Sequence, residues 1–377
     1  MTLWIAVLAL ATGLLAWHYA GYPLVLSWLA SRTDHGETPA FDDDEFPPVS
    51  IIVIAYNEAD GIADRVRDCL AVNYPTEKLE VVVASDGSTD DTVVEAQAVD
   101  GPIEVFDNPD GSKSETRNMA VKRASNDIIL FTDADTRYEP SCVRRLVDRY
   151  ADPDVGAVCG TLVTGSFDDG AIGRGMSVYW RWEYFMREQQ GRLGKLVKMS
   201  GANMSMRRSF YRDVPDTMDI DQVAGLNAIR QGGKSLHAGQ AVATEEFPTD
   251  PDAELSVRRR LTIRALSALG YHRAVFNPRN GAFLAIHTLS YWLLRYLVPV
   301  LLVLFAVASV AVAVSTPVVW GLVAGQALFY TVAAFGYLVP SSRSVPPVSV
   351  VFSYCWANLG VAMGLAAFCT GTRLRSY

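Results

Sequence analysis

Two carboxylates one residue apart, Asp133 and Asp135, close an apolar run at Ile128–Thr132. At the end of a buried strand such a pair can hold one hard divalent cation, Mg²⁺ or Mn²⁺. These ions take oxygen ligands and often complete their shell with substrate phosphates. A helix–loop–helix calcium site is excluded. Counted from Asp133, position six is Tyr138 rather than Gly, and position twelve is Arg144 rather than Glu. The plainer use of the pair is a capped turn.

Three further groups carry chemistry. Ala55-Tyr56-Asn57-Glu58 follows a second apolar run and can line a pocket for a base and ribose, although Asn57 can equally cap the next helix. Ser85-Asp86-Gly87-Ser88-Thr89-Asp90-Asp91-Thr92 follows a third run. Gly87 permits a tight turn beside a ligand, Asp86 can accept a hydrogen bond from a nucleobase N–H, and Ser88, Thr89 and Asp90 also suit a helix N-cap. Asp219-Ile220-Asp221 opens a helix expected over 221–231, with Gly232-Gly233 as its stop signal. Asp221 can serve as a cap or as a general base. Upstream, Ser200-Gly201-Ala202-Asn203 is small enough to let the chain pass close to a ligand.

Alternating strands and helices must position these groups. Strands are expected at Val49–Ala55, Leu79–Ala84, Ile103–Asp107 and Ile128–Thr132, and helices at 58–72, Asp90–Val99 and Glu115–Arg123. The continuous β-branched run Val49–Ala55 fits a strand buried on both faces. The alternation predicts a largely parallel, doubly wound α/β sheet, in which ligands bind at the carboxyl ends of the strands.

The 377 residues carry a net charge of −8, which argues against a nucleic-acid partner needing a basic face. Five dispersed cysteines form no CxxC or Cys/His cluster, so a reducing compartment and no structural zinc are expected. Residues 3–30 hold no charged side chain apart from His18, and residues 296–342 and 344–372 hold none. Such stretches are read as membrane spans. A signal peptide at the N-terminus would need a basic n-region and a shorter apolar core. The expected spans are 4–28, 293–313, 317–339 and 347–370. An acidic stretch, Asp42–Glu45, and Pro47-Pro48 form a linker after the first. The aromatic residues 171–190 read as a core-packed amphipathic helix or one at the membrane surface. Residues 254–273, with Arg258, Arg259, Arg260, Arg264 and Arg273, read as a basic interfacial helix. The domains expected are an N-terminal transmembrane helix at 1–31, a catalytic domain at 48–250, amphipathic interfacial helices at 251–295 and transmembrane helices at 296–372.

The ordered set Asp86-Gly87-Ser88, Asp133-Ala134-Asp135, Gly201-Ala202-Asn203, Asp219-Ile220-Asp221, Thr244-Glu245-Glu246 and Arg258-Arg259-Arg260 resembles the inverting family 2 glycosyltransferases with the GT-A fold. The likeness covers about residues 48–270 and points to membrane-bound members related to cellulose and hyaluronan synthases and exopolysaccharide enzymes. It implies a GT-A type nucleotide-sugar-binding sheet with helices on both faces, plus transmembrane helices. By resemblance, Asp86 contacts the nucleobase, and Ala55, Tyr56, Glu58, Lys113 and Asp133 line the nucleotide pocket. Asp133 and Asp135 serve the metal and diphosphate. Gly201, Ala202, Asn203 and Arg258–Arg260 belong to the acceptor or diphosphate region. Asp221 matches the catalytic base, alone, because the usual acidic pair reads Ile220-Asp221. The implied donor is a UDP- or GDP-sugar, the acceptor is lipid-linked, and the protein is a multi-pass cell-membrane enzyme with a cytoplasmic catalytic domain. The QxxRW motif of processive synthases has no counterpart in Arg258–Arg264, which lacks Gln and Trp. A non-processive enzyme is therefore expected. The rival readings are a polyprenyl-phosphate sugar synthase, a processive polysaccharide synthase and a non-catalytic nucleotide-sugar-binding membrane subunit.

Overall fold

The computed structural model describes residues 1–33, 40–42, 45–109, 111–163, 171–245 and 250–374, with backbone alone at 171–177. Asp43, Asp44, Glu246 and Arg375 lie outside the described residues. The chain divides into a sheet unit, chiefly residues 29–165 and 184–246, and a helical unit, residues 1–28, 166–183 and 247–373.

The chain starts with α1 (Thr2–Ala16), which passes through a π-helical turn at Trp17–Gly21 into α2 (Tyr22–Ala30). The sheet unit follows as β1 (Val49–Ala55), α3 (Ile62–Leu70), β2 (Leu79–Ser85), α4 (Thr92–Gln97), β3 (Ile103–Asp107), α5 (Lys113–Arg123) and β4 (Ile128–Asp133). Next come β5 (Arg137–Tyr138), α6 (Cys142–Val147), β6 (Val155–Val163), α7 (Ala171–Arg192), β7 (Met204–Arg207), α8 (Ile220–Arg230) and β8 (Lys234–Thr244). The sheet order is β3-β2-β1-β4-β7-β6-β8-β5.

Every residue of β1 is buried, as a strand covered on both faces requires. It pairs in parallel with β2, Val49 opposite Leu79, and with β4, Val49 opposite Ile128. The ends of β1, β2 and β4 therefore come level, and the loops that follow them meet at one edge. The expectation of a largely parallel sheet holds for these strands and for β3. Beyond them β7 runs antiparallel to both β4 and β6, so the sheet is mixed. β7 has only four residues and β6 pairs with β8 across register shifts, which is why no simple period announces them. The helix expected from residue 58 begins at Ile62, after a turn in which Asn57 takes φ 55°.

In the helical unit, α9 (Pro251–Tyr271) is followed by α10 (Ala282–His287), a π-helical turn at Thr288–Leu293, α11 (Leu294–Ala313), α12 (Trp320–Leu338) and α13 (Pro346–Cys369). Among the described residues four helical runs are long and apolar enough to cross a membrane: Thr2–Ala30, Ala282–Ala313, Pro317–Leu338 and Pro346–Cys369. The second begins eleven residues before the expected 293, because the helix runs on through its π-turn rather than stopping at Arg295. That arginine is half-buried, pairs with Glu183 of α7 at 2.5 Å and stands over the rings of Tyr179, Trp182 and Tyr291. Tyr179 and Trp182 of α7 thus pack on Arg295 within the helical unit. The basic helix α9 lies along α13: a Cβ added at Gly360 would meet Arg258, and one at Gly364 would meet Thr262. Small residues allow two helices this close an approach.

Candidate active site

The loops after β1 and β2 are stitched together by the residues that also suit helix caps. Asn57 donates its main-chain N–H to Ser88 Oγ (3.0 Å) and accepts at Oδ1 from the Thr89 N–H (2.8 Å). The N–H groups of Glu58 and Ala59 donate to Thr92 Oγ1 (2.8 Å) and Asp90 Oδ2 (3.1 Å). Asn57 thus does not cap α3, whose N-cap position is Gly61. An Asn tolerates the left-handed backbone because its short polar side chain bonds locally. Gly87, at φ 73°, has no alternative: a Cβ would stand 2.9 Å from the Pro109 carbonyl oxygen. These contacts hold Tyr56, 58% exposed, and Asp86 at the same edge.

Helix α5 closes the site from below the strand ends. Ser112 caps it, accepting from the Glu115 N–H. Thr116 Oγ1 donates to Asp86 Oδ1 at 2.5 Å. Lys113 Nζ pairs with Asp133 Oδ1 at 2.8 Å. Burial alone would raise the Asp133 carboxyl, but Lys113, Arg117 and Arg65 reverse this and hold it below the usual carboxylate range. Asp86 is held above that range, chiefly by burial.

The other carboxylates of the site are crowded. Burial raises Asp135, and the Asp133 charge adds to it. Burial also raises Glu58, helped by Asp135, Asp90 and Asp133. Glu245, one residue past β8, is pushed up to about 8 by burial and by Asp135 and Asp133. Glu58, Asp133, Asp135 and Glu245 are therefore neighbours drawn from three strand ends, those of β1, β4 and β8. A divalent cation would relieve this mutual repulsion. Among the described residues no three His, Cys, Asp or Glu side chains come together so as to hold a metal ion by themselves. The donor set fits an ion held by one or two carboxylates and completed by phosphate or water.

The ends of β4 and of the DAD turn are fixed from behind by Arg65, which the sequence reading passed over. Its side chain is fully buried, donates to Thr132 Oγ1 (2.6 Å) and to the Asp133 carbonyl (3.3 Å), pairs with Asp68 and lies over the Tyr138 ring. The available signal was an arginine among the buried apolar residues of α3, Ile62, Val66 and Cys69.

The second part of the site is the start of α8. Asp221 lies in its first turn, with Oδ1 buried and without a hydrogen-bond partner. Burial, with the like charge of Asp219, pushes its carboxyl up to about 6 against the pull of Lys198, Arg117 and Arg187. Gly201 faces it: a Cβ there would stand 3.8 Å from Asp221 Cβ. Of the other residues expected in the acceptor region, Ala202 is buried, and Asn203 is fully buried and committed to the fold. Asn203 Nδ2 donates to the carbonyls of Thr161 and Ala241 (2.9 Å each), joining β6 to β8, and Oδ1 accepts from Cys142 Sγ. Arg258–Arg260 belong to the helical unit, where Arg258 pairs with Glu254 at 2.6 Å and covers the Tyr179 ring.

Comparisons with known proteins bear on the fold and the family. The family model described as glycosyl transferase family 2 matches residues 50–214, and these residues form a domain of that family. An N-acetylglucosaminyltransferase of Rhizobium leguminosarum bv. viciae is 27% identical over 238 residues, which is 58% of this chain and 56% of that protein. A poly-beta-1,6-N-acetyl-D-glucosamine synthase of Staphylococcus aureus (strain MSSA476) is 30% identical over 133 residues, 34% of this chain and 32% of that one. The chain thus spans about half the length, or less, of the curated relatives it matches. Among solved structures, a mannosyltransferase from Pyrobaculum calidifontis, in complex with GDP-Man and Mn²⁺, aligns with a TM-score of 0.65 at 22% identity, over 94% of this chain and 99% of that chain. The fold is accordingly of the GT-A type, a mixed α/β sheet accompanied by apolar helices.

Proposed function

We propose that the chain is an inverting, metal-dependent glycosyltransferase that moves one sugar from a nucleotide-sugar to a lipid-linked acceptor. The observation that carries this reading is the meeting of Glu58, Asp133, Asp135 and Glu245 with Lys113 beside the Asp86 loop. Asp86 and Tyr56 would receive the nucleoside, Asp86 already being oriented by Thr116. Asp133 and Asp135 would hold a Mg²⁺ or Mn²⁺ ion, which when bound neutralises charge gathering on the leaving diphosphate. Lys113 supplies a fixed positive charge at the same place. Asp221 takes the proton of the acceptor hydroxyl as it attacks the anomeric carbon from the face opposite the leaving group, so one displacement inverts that centre. The relatives named for N-acetylglucosamine transfer favour that sugar.

The absence of Gln and Trp around Arg258–Arg264 supports single addition. A processive reading draws on the polymer-synthase relative, and product length from the purified enzyme separates the two. The four apolar helices support a multi-pass membrane protein. Arg32 after the first span, and the need for cytosolic nucleotide-sugar, favour a cytoplasmic sheet unit. Labelling of single cysteines introduced at positions 36 and 376 tests this. Labelling of position 36 from outside the cell would overturn it, and labelling of both from one side would overturn three spans after the sheet unit.

The function is tested with the full chain, purified in detergent, against UDP-N-acetylglucosamine, UDP-glucose, UDP-galactose and GDP-mannose. Nucleoside diphosphate release from a subset of donors, abolished by chelator and restored by Mn²⁺ or Mg²⁺, is expected. Release from none of them, with or without a lipid extract of the expression host, would overturn the reading. Full turnover in excess chelator would remove the metal from it.

A further inference from the structure

Arg117 was given no role by its position in the sequence, yet its surroundings are unusual. The residue is 3% exposed, and its Nε and Nη1 are buried without a hydrogen-bond partner. A buried guanidinium left in this state is costly relative to one fully paired, so a fold that keeps it gains something else from the charge. The position on α5 shows what that is. Lys113, four residues earlier, reaches Asp133 at 2.8 Å, and Ser114, three residues earlier, donates to the Met218 carbonyl at 3.0 Å. Residues at these spacings share one face of a helix. Thr116, next in the chain, holds Asp86. On the other side Asn118 Nδ2 donates to the Val214 carbonyl (3.0 Å), and Tyr211 Oη donates to Asn118 Oδ1 (2.6 Å). One helix thus grips both the metal-site aspartate and the segment 211–218 that leads into the first turn of α8.

We propose that Arg117 is a positioning residue for the transfer step: carried on the helix that organises the donor end of the site and that is bonded to the segment leading into α8, its buried, unpartnered guanidinium supplies the positive charge that supports Asp221 as the base. Its field reaches Asp86, Asp133 and Asp221 together. The charged groups facing Asp221 come from four elements. Asp219, at the N-cap of α8, is the like charge that disfavours ionisation. Lys198 from the segment before β7, Arg187 from α7 and Arg117 from α5 favour it. Arg187 already has other contacts, with Cys159 Sγ at 3.8 Å and over the Tyr184 ring. Lys198 acts on Asp221 as well, but Arg117 alone of the three is a guanidinium with both Nε and Nη1 buried and unpartnered, on the helix that also holds Asp86 and Asp133.

The proposal rests on reading Asp221 as the base, and the experiment keeps the two apart. The full chain is compared with Arg117→Met, Arg117→Gln, Arg117→Lys and Asp221→Asn. Nucleoside diphosphate release from UDP-N-acetylglucosamine and GDP-mannose is followed from pH 5 to 9, with a lipid extract of the expression host as acceptor source, and melting is recorded for each variant. Arg117→Met and Arg117→Gln are expected to move the acid limb of kcat to higher pH by ~1 unit, the lower end of what one nearby charge does. The fall in kcat at neutral pH should exceed any rise in donor KM. Arg117→Lys should return the limb to within ~0.3 unit of its original place; if the uncharged variants fail to fold, a limb that moves by a full unit in the lysine variant overturns the proposal. A limb that stays in place in either uncharged variant also overturns it, and if Asp221→Asn has still lost transfer, the base reading stands. Normal transfer by Asp221→Asn overturns both.

Discussion

Where β1, β2 and β4 end side by side, the polar side chains already hold one another. Asn57 bonds the Thr89 N–H, Thr116 bonds Asp86, and Lys113 pairs with Asp133. At the first turn of α8, beyond the point where β7 reverses the strand direction, Asp221 Oδ1 and both amide atoms of the fully buried Gln222 have no hydrogen-bond partner. Leaving a buried polar group unmade costs ~1–3 kcal/mol. The first region is built before any ligand arrives. The second is held at a cost that an incoming acceptor hydroxyl can repay by supplying the missing partner. On the proposed function, the difference would separate donor binding, which the parallel strands preorganise, from transfer, which would depend on one unsatisfied carboxyl.

The comparison breaks most visibly at the donor end. Asp135→Ala should lower both diphosphate affinity and turnover, the latter to background, and chelation of the wild-type protein should do the same. Isothermal titration with the nucleoside diphosphate in Mn²⁺, beside a turnover assay, reads both. Unchanged affinity would detach Asp135 from the donor half.

Asp221→Asn addresses the other region. Transfer should fall by ~10²–10⁴, the range for loss of a general base, with nucleotide affinity kept. Loss of affinity with normal residual turnover would make Asp221 a helix cap. The same carboxyl sets the pH response. With its carboxyl raised to about 6 by burial and Asp219, Asp221 is ionised and competent above that pH and protonated below it. The acid limb of kcat should therefore lie near pH 6, with activity falling towards pH 5. A flat profile across that range would remove Asp221 from the proton transfer.

Smaller effects sharpen the contrast in stability. Asn203→Ala leaves the Thr161 and Ala241 carbonyls without their donor and should cost ~1–3 kcal/mol in thermal or denaturant unfolding. Gln222→Met removes a buried amide that has no partner. It should be neutral or slightly stabilising, by up to ~1 kcal/mol, while activity declines. Equal destabilisation by the two substitutions would show that the two regions do not differ in the way described.

Much of this was legible along the chain, for local reasons. Short apolar or β-branched runs between turn residues placed β1 and β3 to the residue and β2 and β4 to within one at the carboxyl end. Uncharged stretches announced the four apolar helices, and the DAD and DGS groups fell at strand ends as the alternation required. These signals depend on neighbours in sequence: side-chain period, apolar run length and turn chemistry. Other assignments could not be read this way. Asn57 looked like a cap and joins two loops, and Asn203 looked like a ligand-facing residue and ties β6 to β8. Arg65 and Arg117 carried no motif of their own, Glu245 stood in the Thr244-Glu245-Glu246 group without a role assigned to it, and Arg258 is held by Glu254 and Tyr179. Their roles follow from which strands are neighbours and where the sheet reverses direction. Those facts bring Glu58, Lys113, Asp133 and Glu245 together from across almost two hundred residues of sequence. Charge and hydrogen bonding act over a few ångströms of space whatever the separation along the chain, so only the folded arrangement decides which polar groups meet.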